Sequence, residues 1–163
     1  MTEKISAEAL TYLTSGIQAE ISAYVFYKIG IDKVTDAKIK ETLGVFANEE
    51  RKHFLALEKQ YDQYVRSEKW VTYRDILNKD GLPTIDESMG EKHIKRIDQV
   101  KKATSMVEIL EIALELEKEA YALYSEAAKK STEADVKKTF EYLTHFELGH
   151  IHNVEGMIAS LRK

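Results

Sequence analysis

The sequence contains no cysteine, which excludes disulfides, thiolate-ligated metals and redox thiols. An iron module held by four cysteines is therefore absent from this chain. It has one proline and seven glycines in 163 residues, so few positions force the backbone out of a helix. Alanine, leucine, glutamate and lysine are abundant instead, a composition that favours an all-helical protein. No stretch approaches eighteen apolar residues, so no membrane-spanning helix is expected. The segment Met1–Ser6 lacks the apolar run of a signal peptide. No basic block stands out, net charge is −4 and the pI is near 5.8, which argues against nucleic acid or an anionic membrane as the main partner. The expectation is a cytoplasmic protein with one domain over residues 1–163, long enough for a substantial core.

What the sequence does contain is a repeat. Glu20 is followed thirty residues later by Glu50 and, three further on, His53; Glu117 is followed thirty residues later by Glu147 and then His150. Over residues 16–58 the offset to the second copy is 97 throughout, without a gap. Glu20, Ala23, Tyr24, Tyr27, Lys33, Thr35, Ala37, Lys40, Thr42, Glu50, His53 and Glu58 all recur at that offset. Shared composition would give only a few such identities, so a duplicated helical hairpin is the expected origin. Two copies are too few for a solenoid and should close on each other.

The apolar periodicity predicts four long helices. The first runs from Ser6 to about Ile31 and turns Leu10, Leu13, Ile17, Glu20, Ala23, Tyr24, Tyr27 and Ile31 inward, with Gly30 and residues 32–34 ending it. Thr35 is the expected N-cap of the second, which reaches about Arg66 and presents Leu43, Phe46, Glu50, His53, Phe54 and Leu57. Ser105 with Glu108 forms a capping box for the third, and Thr132 with Asp135 opens the fourth. The hairpins thus span 6–66 and 105–162, and in each helix the acidic residue sits inside the apolar stripe. The link at 67–103 holds a turn cluster, Asn78–Pro83, and a short amphipathic helix is expected at 86–102. It is far longer than a hairpin loop. A helix of about 26 residues spans roughly 39 Å, and this link can return along that length, making the second and third helices parallel. The fold expected is an all-α four-helix bundle with one crossover connection.

Glutamate and histidine three apart lie on one helical face. Four carboxylates and two imidazoles from four helices suit a dinuclear iron or manganese site. Electrostatics point the same way. Two unit charges about 4 Å apart repel by roughly 4 kcal/mol at an effective dielectric near 20, and a domain has only about 5–15 kcal/mol of net stability. Two divalent cations would balance Glu20, Glu50, Glu117 and Glu147 with both histidines neutral.

The sequence resembles the rubrerythrin and bacterioferritin branch of the ferritin-like superfamily. The resemblance rests on Glu20 with Tyr27, Glu50-x-x-His53, Glu117 with Tyr124, Glu147-x-x-His150 and the run Ala113–Lys118. It covers the four helices and leaves out 67–103. It implies a ferritin-like bundle holding two iron ions, with manganese or a mixed pair as alternatives, that reacts with peroxide or dioxygen. By this resemblance Glu50 and Glu147 bridge the metals, and Glu20 and Glu117 are terminal ligands. His53 and His150 serve one ion each, and Tyr27 and Tyr124 hydrogen-bond the carboxylates. Catalytic residues beyond these are not identified. Two functions stay open: a rubrerythrin-like oxidoreductase, or a protein that oxidises iron and hands it on. The chain departs from rubrerythrins in two ways. Ala120 stands where they usually carry a further glutamate, and no rubredoxin-like domain is present, so an external electron-donor protein is expected. A homodimer is also expected.

Other residues carry plainer expectations. Tyr24 and Tyr121 should pack in the core. His145 and His152 should face away from the site, and His93 should be solvated. Glu58 and Glu155 should form ordinary ion pairs. Trp70 and Tyr73 should pack the link onto the bundle or into a dimer interface. Glu119 should face outward, and the repeat implies near-equivalent surroundings for the two metals.

Overall fold

The computed structural model describes residues 6–64 and 90–163, with the side chains of 90–94 left out. Five helices are present among them: α1 (Ala7–Lys33), α2 (Ala37–Tyr64), α3 (Gly90–Lys102), α4 (Met106–Lys130) and α5 (Ala134–Leu161). No strand occurs among the described residues, and no helix there is long and apolar enough to cross a membrane. The Asn78–Pro83 turn, Trp70, Tyr73, Met89, the His93 side chain and the far end of the second helix at Arg66 lie outside the described residues.

Two hairpins, α1–α2 and α4–α5, each turn through a three-residue loop. They close on each other with α1 against α4 and α2 against α5. Gly16 and Glu20 of α1 meet Tyr124, Tyr27 meets Glu117, and Gly30 lies nearest Ile109. That order makes α1 and α4 antiparallel. Since α2 reverses α1, α2 and α4 are parallel, as the long link requires. α3 is the returning limb of that link. It lies on α1, with Lys33 Nζ donating to the Lys101 carbonyl and Ile97, Val100 and Ala103 buried.

The caps show how local chemistry sets the boundaries. Ser6 accepts from the Ala9 amide, and Ser105 accepts from Glu108 N as the capping box requires. The return bond of that box goes one residue further back, from Thr104 N to Glu108 Oε2. The α2 cap is Asp36, not Thr35: its Oδ1 accepts from Lys38 N and Ile39 N at 3.0 Å. A carboxylate next to two free amides outcompetes a hydroxyl one residue earlier. At α5 the cap position is Glu133, without a side-chain cap bond, so Thr132 does not open that helix. Gly30 does not end α1, which continues to Lys33.

α1 is also buried on more sides than its inward stripe accounts for. Ile21, Val25, Phe26 and Ile29 are all 9% exposed or less. Their counterparts 97 residues on are Lys118, Ala122, Leu123 and Glu126, and α4 stays exposed at 118, 122 and 126. The second apolar face of α1 exists because α3 covers it. Each such fully buried side chain is worth about 1.5–3 kcal/mol of transfer free energy.

Candidate metal centre

The six residues of the duplicated pattern converge in the bundle interior. Glu20, Glu50, Glu117, Glu147, His53 and His150 are each 3% exposed or less. They fall into two overlapping groups: Glu20, Glu50, His53 and Glu147, and Glu50, Glu117, Glu147 and His150. Within each group the ligand-type atoms lie within 4.8 Å of one another, and Glu50 and Glu147 belong to both. His53 Nδ1 is 3.6 Å from Glu20, 3.9 Å from Glu50 and 3.8 Å from Glu147. His150 Nδ1 is 3.0 Å from Glu50 and 3.4 Å from both Glu117 and Glu147.

These atoms are not satisfied by one another. Glu20 Oε2, Glu50 Oε1, Glu117 Oε2, both Glu147 oxygens and both inward Nδ1 atoms are buried without a hydrogen-bond partner among the described residues. Buried polar atoms are normally paired, and each exception calls for a cause. Here the orphans are the lone-pair atoms that a pair of hard or borderline cations takes, so the residues fit a dinuclear metal group.

The electrostatics record the same strain. Burial, then repulsion from Glu50, pushes the Glu20 carboxyl well above the carboxylate range. Burial, then Glu117, does the same to Glu147 and, less strongly, raises Glu50. Burial also works against ionising Glu117, but the close approach of Glu147 and His150 and the Tyr27 hydroxyl outweigh it, and its pKa is lowered. Burial disfavours the charged His150 ring, yet contacts with Glu117, Glu147 and Glu50 prevail and raise it. Without metal, the cluster holds protons to lower its charge.

The two tyrosines cross between the repeats. Tyr27 of α1 donates to Glu117 of α4, and Tyr124 of α4 donates to Glu20 of α1 at 2.7 Å. Both rings are fully buried. Burial, then the adjacent carboxylate, drives both phenols well above their ordinary value, so they remain donors. Gly16 makes room for this: a Cβ there would lie 3.0 Å from Leu57 and 3.3 Å from the Tyr124 ring. Tyr24 packs in the core as expected, and Tyr121 is half-buried. His145 and His152 are exposed and outside the cluster. Glu119 faces outward and pairs with Arg96. Glu155 is exposed, but Glu58 is only 1% exposed, so the two do not share a surface role.

Sequence reasoning missed Glu49. Its Oε2 lies 2.7 Å from His150 Nε2, across the α2–α5 seam. The counterpart of Glu49 at the 97 offset is Phe146, whose ring packs edge-on against His53 at 4.4 Å. Phe46 stacks on His150 at 4.2 Å, and its counterpart is Leu143. The inner residues keep the expected equivalence, one histidine, one further glutamate and two shared carboxylates in each group, while the supports around them do not follow the repeat. An open groove of about 510 Å³ between α2 and α5, lined by Val45, Phe46, Glu49, Tyr142, Phe146 and His150 among others, reaches this side of the cluster.

Comparison with known proteins agrees with the fold and the cluster. Three solved structures are similar to the chain. One is a hypothetical protein from Methanococcus jannaschii (18% identity, all of this chain and 86% of that one, TM-score 0.80). The second is KatB, a manganese catalase from Anabaena (21%, 98% and 75%, TM-score 0.73). The third is the Rhodobacter capsulatus bacterioferritin with a metal-free dinuclear site (20%, 96% and 86%, TM-score 0.61). At these identities they establish the ferritin-like bundle. No curated protein matches the sequence. The Rubrerythrin family model matches residues 11–158, nearly the whole chain and all six clustered residues, and the chain belongs to the rubrerythrin family.

Proposed function

We propose that the protein is a non-haem di-iron oxidoreductase that reduces peroxide or dioxygen at the Glu50/Glu147-centred cluster. The observation that carries this reading is the pair of four-residue groups sharing two carboxylates, with their inward atoms unpartnered. Bound there, two redox-active ions supply electrons and an open position for a small oxidant. The protein does the rest. Glu20, Glu50, Glu117 and Glu147 balance the cationic charge, while Tyr27 and Tyr124 orient the two terminal carboxylates. Phe46, Phe146 and the apolar bundle restrict water, and the α2–α5 groove admits a small solute. With no cysteine in the chain, electrons come from an external donor.

Glu49 accepts from His150 Nε2, fixes its tautomer and increases the donor strength of Nδ1. Removing such a partner typically costs about 10–100-fold in metal affinity. Glu49→Ala is therefore expected to weaken the His150-side position by that factor and spare the His53 side. Stepwise metal titration with a competing chelator checks this; equal weakening of both positions would contradict the role.

Glu49 also favours a second reading, iron oxidation and transfer. Its carboxylate is 28% exposed and joins the α2–α5 groove to His150, an acidic step between solvent and the interior. Anaerobic loading with ferrous ion, followed by stopped-flow mixing with peroxide and separately with dioxygen, separates the two. With a reductant present, the oxidoreductase consumes many equivalents of oxidant per chain. Iron handling gives one oxidation event and release of ferric iron. A site that stays ferrous through prolonged exposure to both oxidants contradicts both.

A further inference from the structure

The crossover helix brings in a cation that neither hairpin carries. Ile97 and Val100 seat α3 on the bundle, and the neighbouring Arg96 is drawn in with them until its side chain is 11% exposed. Arg96 pairs through Nη2 with Glu119, which is 44% exposed. Its Nη1 is buried and has no hydrogen-bond partner among the described residues. A guanidinium has five N–H donors in a planar fork, and burying one without an acceptor is unfavourable.

Arg96 lines a cavity of about 260 Å³ between α1, α3 and α4. Ala19 of α1 and Leu116, Ala120 and Leu123 of α4 give its wall an apolar part, and Ser15, Gln18, Ser22 and Glu119 a polar one. At roughly 30 Å³ per water, the space matches about nine waters and suits a small molecule of up to about nine heavy atoms. The Ser22 hydroxyl donates to the Gln18 carbonyl at 2.9 Å, and Arg96 is the one cationic donor among the lining residues, beside the neutral Ser15 and Gln18. Two leucines and two alanines make much of the remaining surface apolar. A buried cation with an unused N–H, in a small cavity that also offers leucine and alanine surface, matches a carboxylate head with a short aliphatic tail. Inorganic phosphate matches Arg96 but brings a second negative charge toward Glu119 and leaves the Leu116 and Leu123 surface uncovered. The slot lies on the α1–α4 seam. Ala19 immediately precedes Glu20, and Ala120 is nearly one turn beyond Glu117.

We infer that this slot binds a small aliphatic monocarboxylate, with its carboxylate on Arg96. The inference stands on the cavity and the arginine and does not require the metal reading. Calorimetric titration of the full chain with butyrate tests it, in metal-loaded and metal-free protein, with phosphate as a second probe. The expected result is one saturable butyrate site per chain in both forms. Affinity should fall about tenfold or more in Arg96→Gln, the loss expected when a charge-assisted hydrogen bond is removed. Binding should disappear in Leu123→Trp, which fills the slot and leaves Arg96 in place, and phosphate should bind at least about tenfold more weakly. Circular dichroism melting establishes that each variant folds. If Arg96→Gln does not fold, Leu123→Trp alone decides. Absence of saturable butyrate binding overturns the inference. Binding unchanged in both variants, which would place butyrate on the metals, also overturns it, as does phosphate binding as tightly as butyrate.

Discussion

Glu147→Gln protein should lose both metal ions and yet be at least as stable as the parent when metal-free. Glu147 and Glu50 are the residues common to the two groups, so each removes a ligand from both positions. Glu20, His53, Glu117 and His150 each belong to one group. Loss of a direct ligand should exceed the about 10–100-fold typical of an outer partner. Glu50→Ala or Glu147→Ala is therefore expected to lower affinity by roughly 100-fold or more at both positions, and His53→Ala or His150→Ala mainly at one. The stability readout rules out simple misfolding. Glu147 is buried against Glu117, Glu50 and Glu20, and its carboxyl is already pushed well up. An isosteric neutral amide removes that repulsion. Metal titration and thermal melting of the same preparations give both answers. Equal, single-position losses across all four alanine variants would overturn the bridging assignment.

Metal-free and metal-loaded protein should respond to pH in opposite directions between about pH 5 and 8. Glu20, Glu50 and Glu147 hold protons more tightly in the folded chain than their ordinary value of 4.5. Their contribution to stability is complete below that value and is lost as pH rises through the folded values. His150, raised from 6.5, acts in the same direction above that pH. Glu117 is lowered, so its contribution is lost only as pH falls below 4.5, outside this window. One group titrating across two pH units amounts to nearly 3 kcal/mol, and each kcal/mol shifts Tm by about 2–4 °C at this size. The metal-free Tm should therefore fall by roughly 5–10 °C from pH 5 to 8. With metal present, ligation requires deprotonated carboxylates and a neutral His150, so loading releases protons and strengthens as pH rises. A metal-free protein whose Tm climbs over this interval would contradict the cluster's protonation.

The inner cluster was legible in the sequence because helical periodicity and the 97-residue repeat constrain the same residues. A glutamate inside an apolar stripe is anomalous, and the same anomaly registered across four helices has few physical solutions. That Tyr27 and Tyr124 hydrogen-bond carboxylates was implied by the family resemblance; which carboxylate each meets is set by the α1–α4 packing. The supporting layer was not legible. Glu49 lies about 100° around α2 from Glu50 and looks like part of a solvated face. Only the α2–α5 packing brings it to His150. The available signal was negative: Glu49 and Phe146 break the repeat one residue before its best-kept motif. The burial of Ile21, Val25, Phe26 and Ile29 was likewise readable as apolarity around more than one face of α1, but its cause, α3, lies in the link that the repeat does not cover. The Ser105 cap was legible, whereas the α2 cap turned on single-residue competition, Asp36 against Thr35.

The most direct measurement is metal content after anaerobic loading with ferrous ion and removal of excess, made alongside protein quantified by amino-acid analysis. Two overlapping four-residue groups predict two ions per chain, falling toward zero in Glu147→Gln. Zero or one ion per chain in the parent protein would contradict a dinuclear centre.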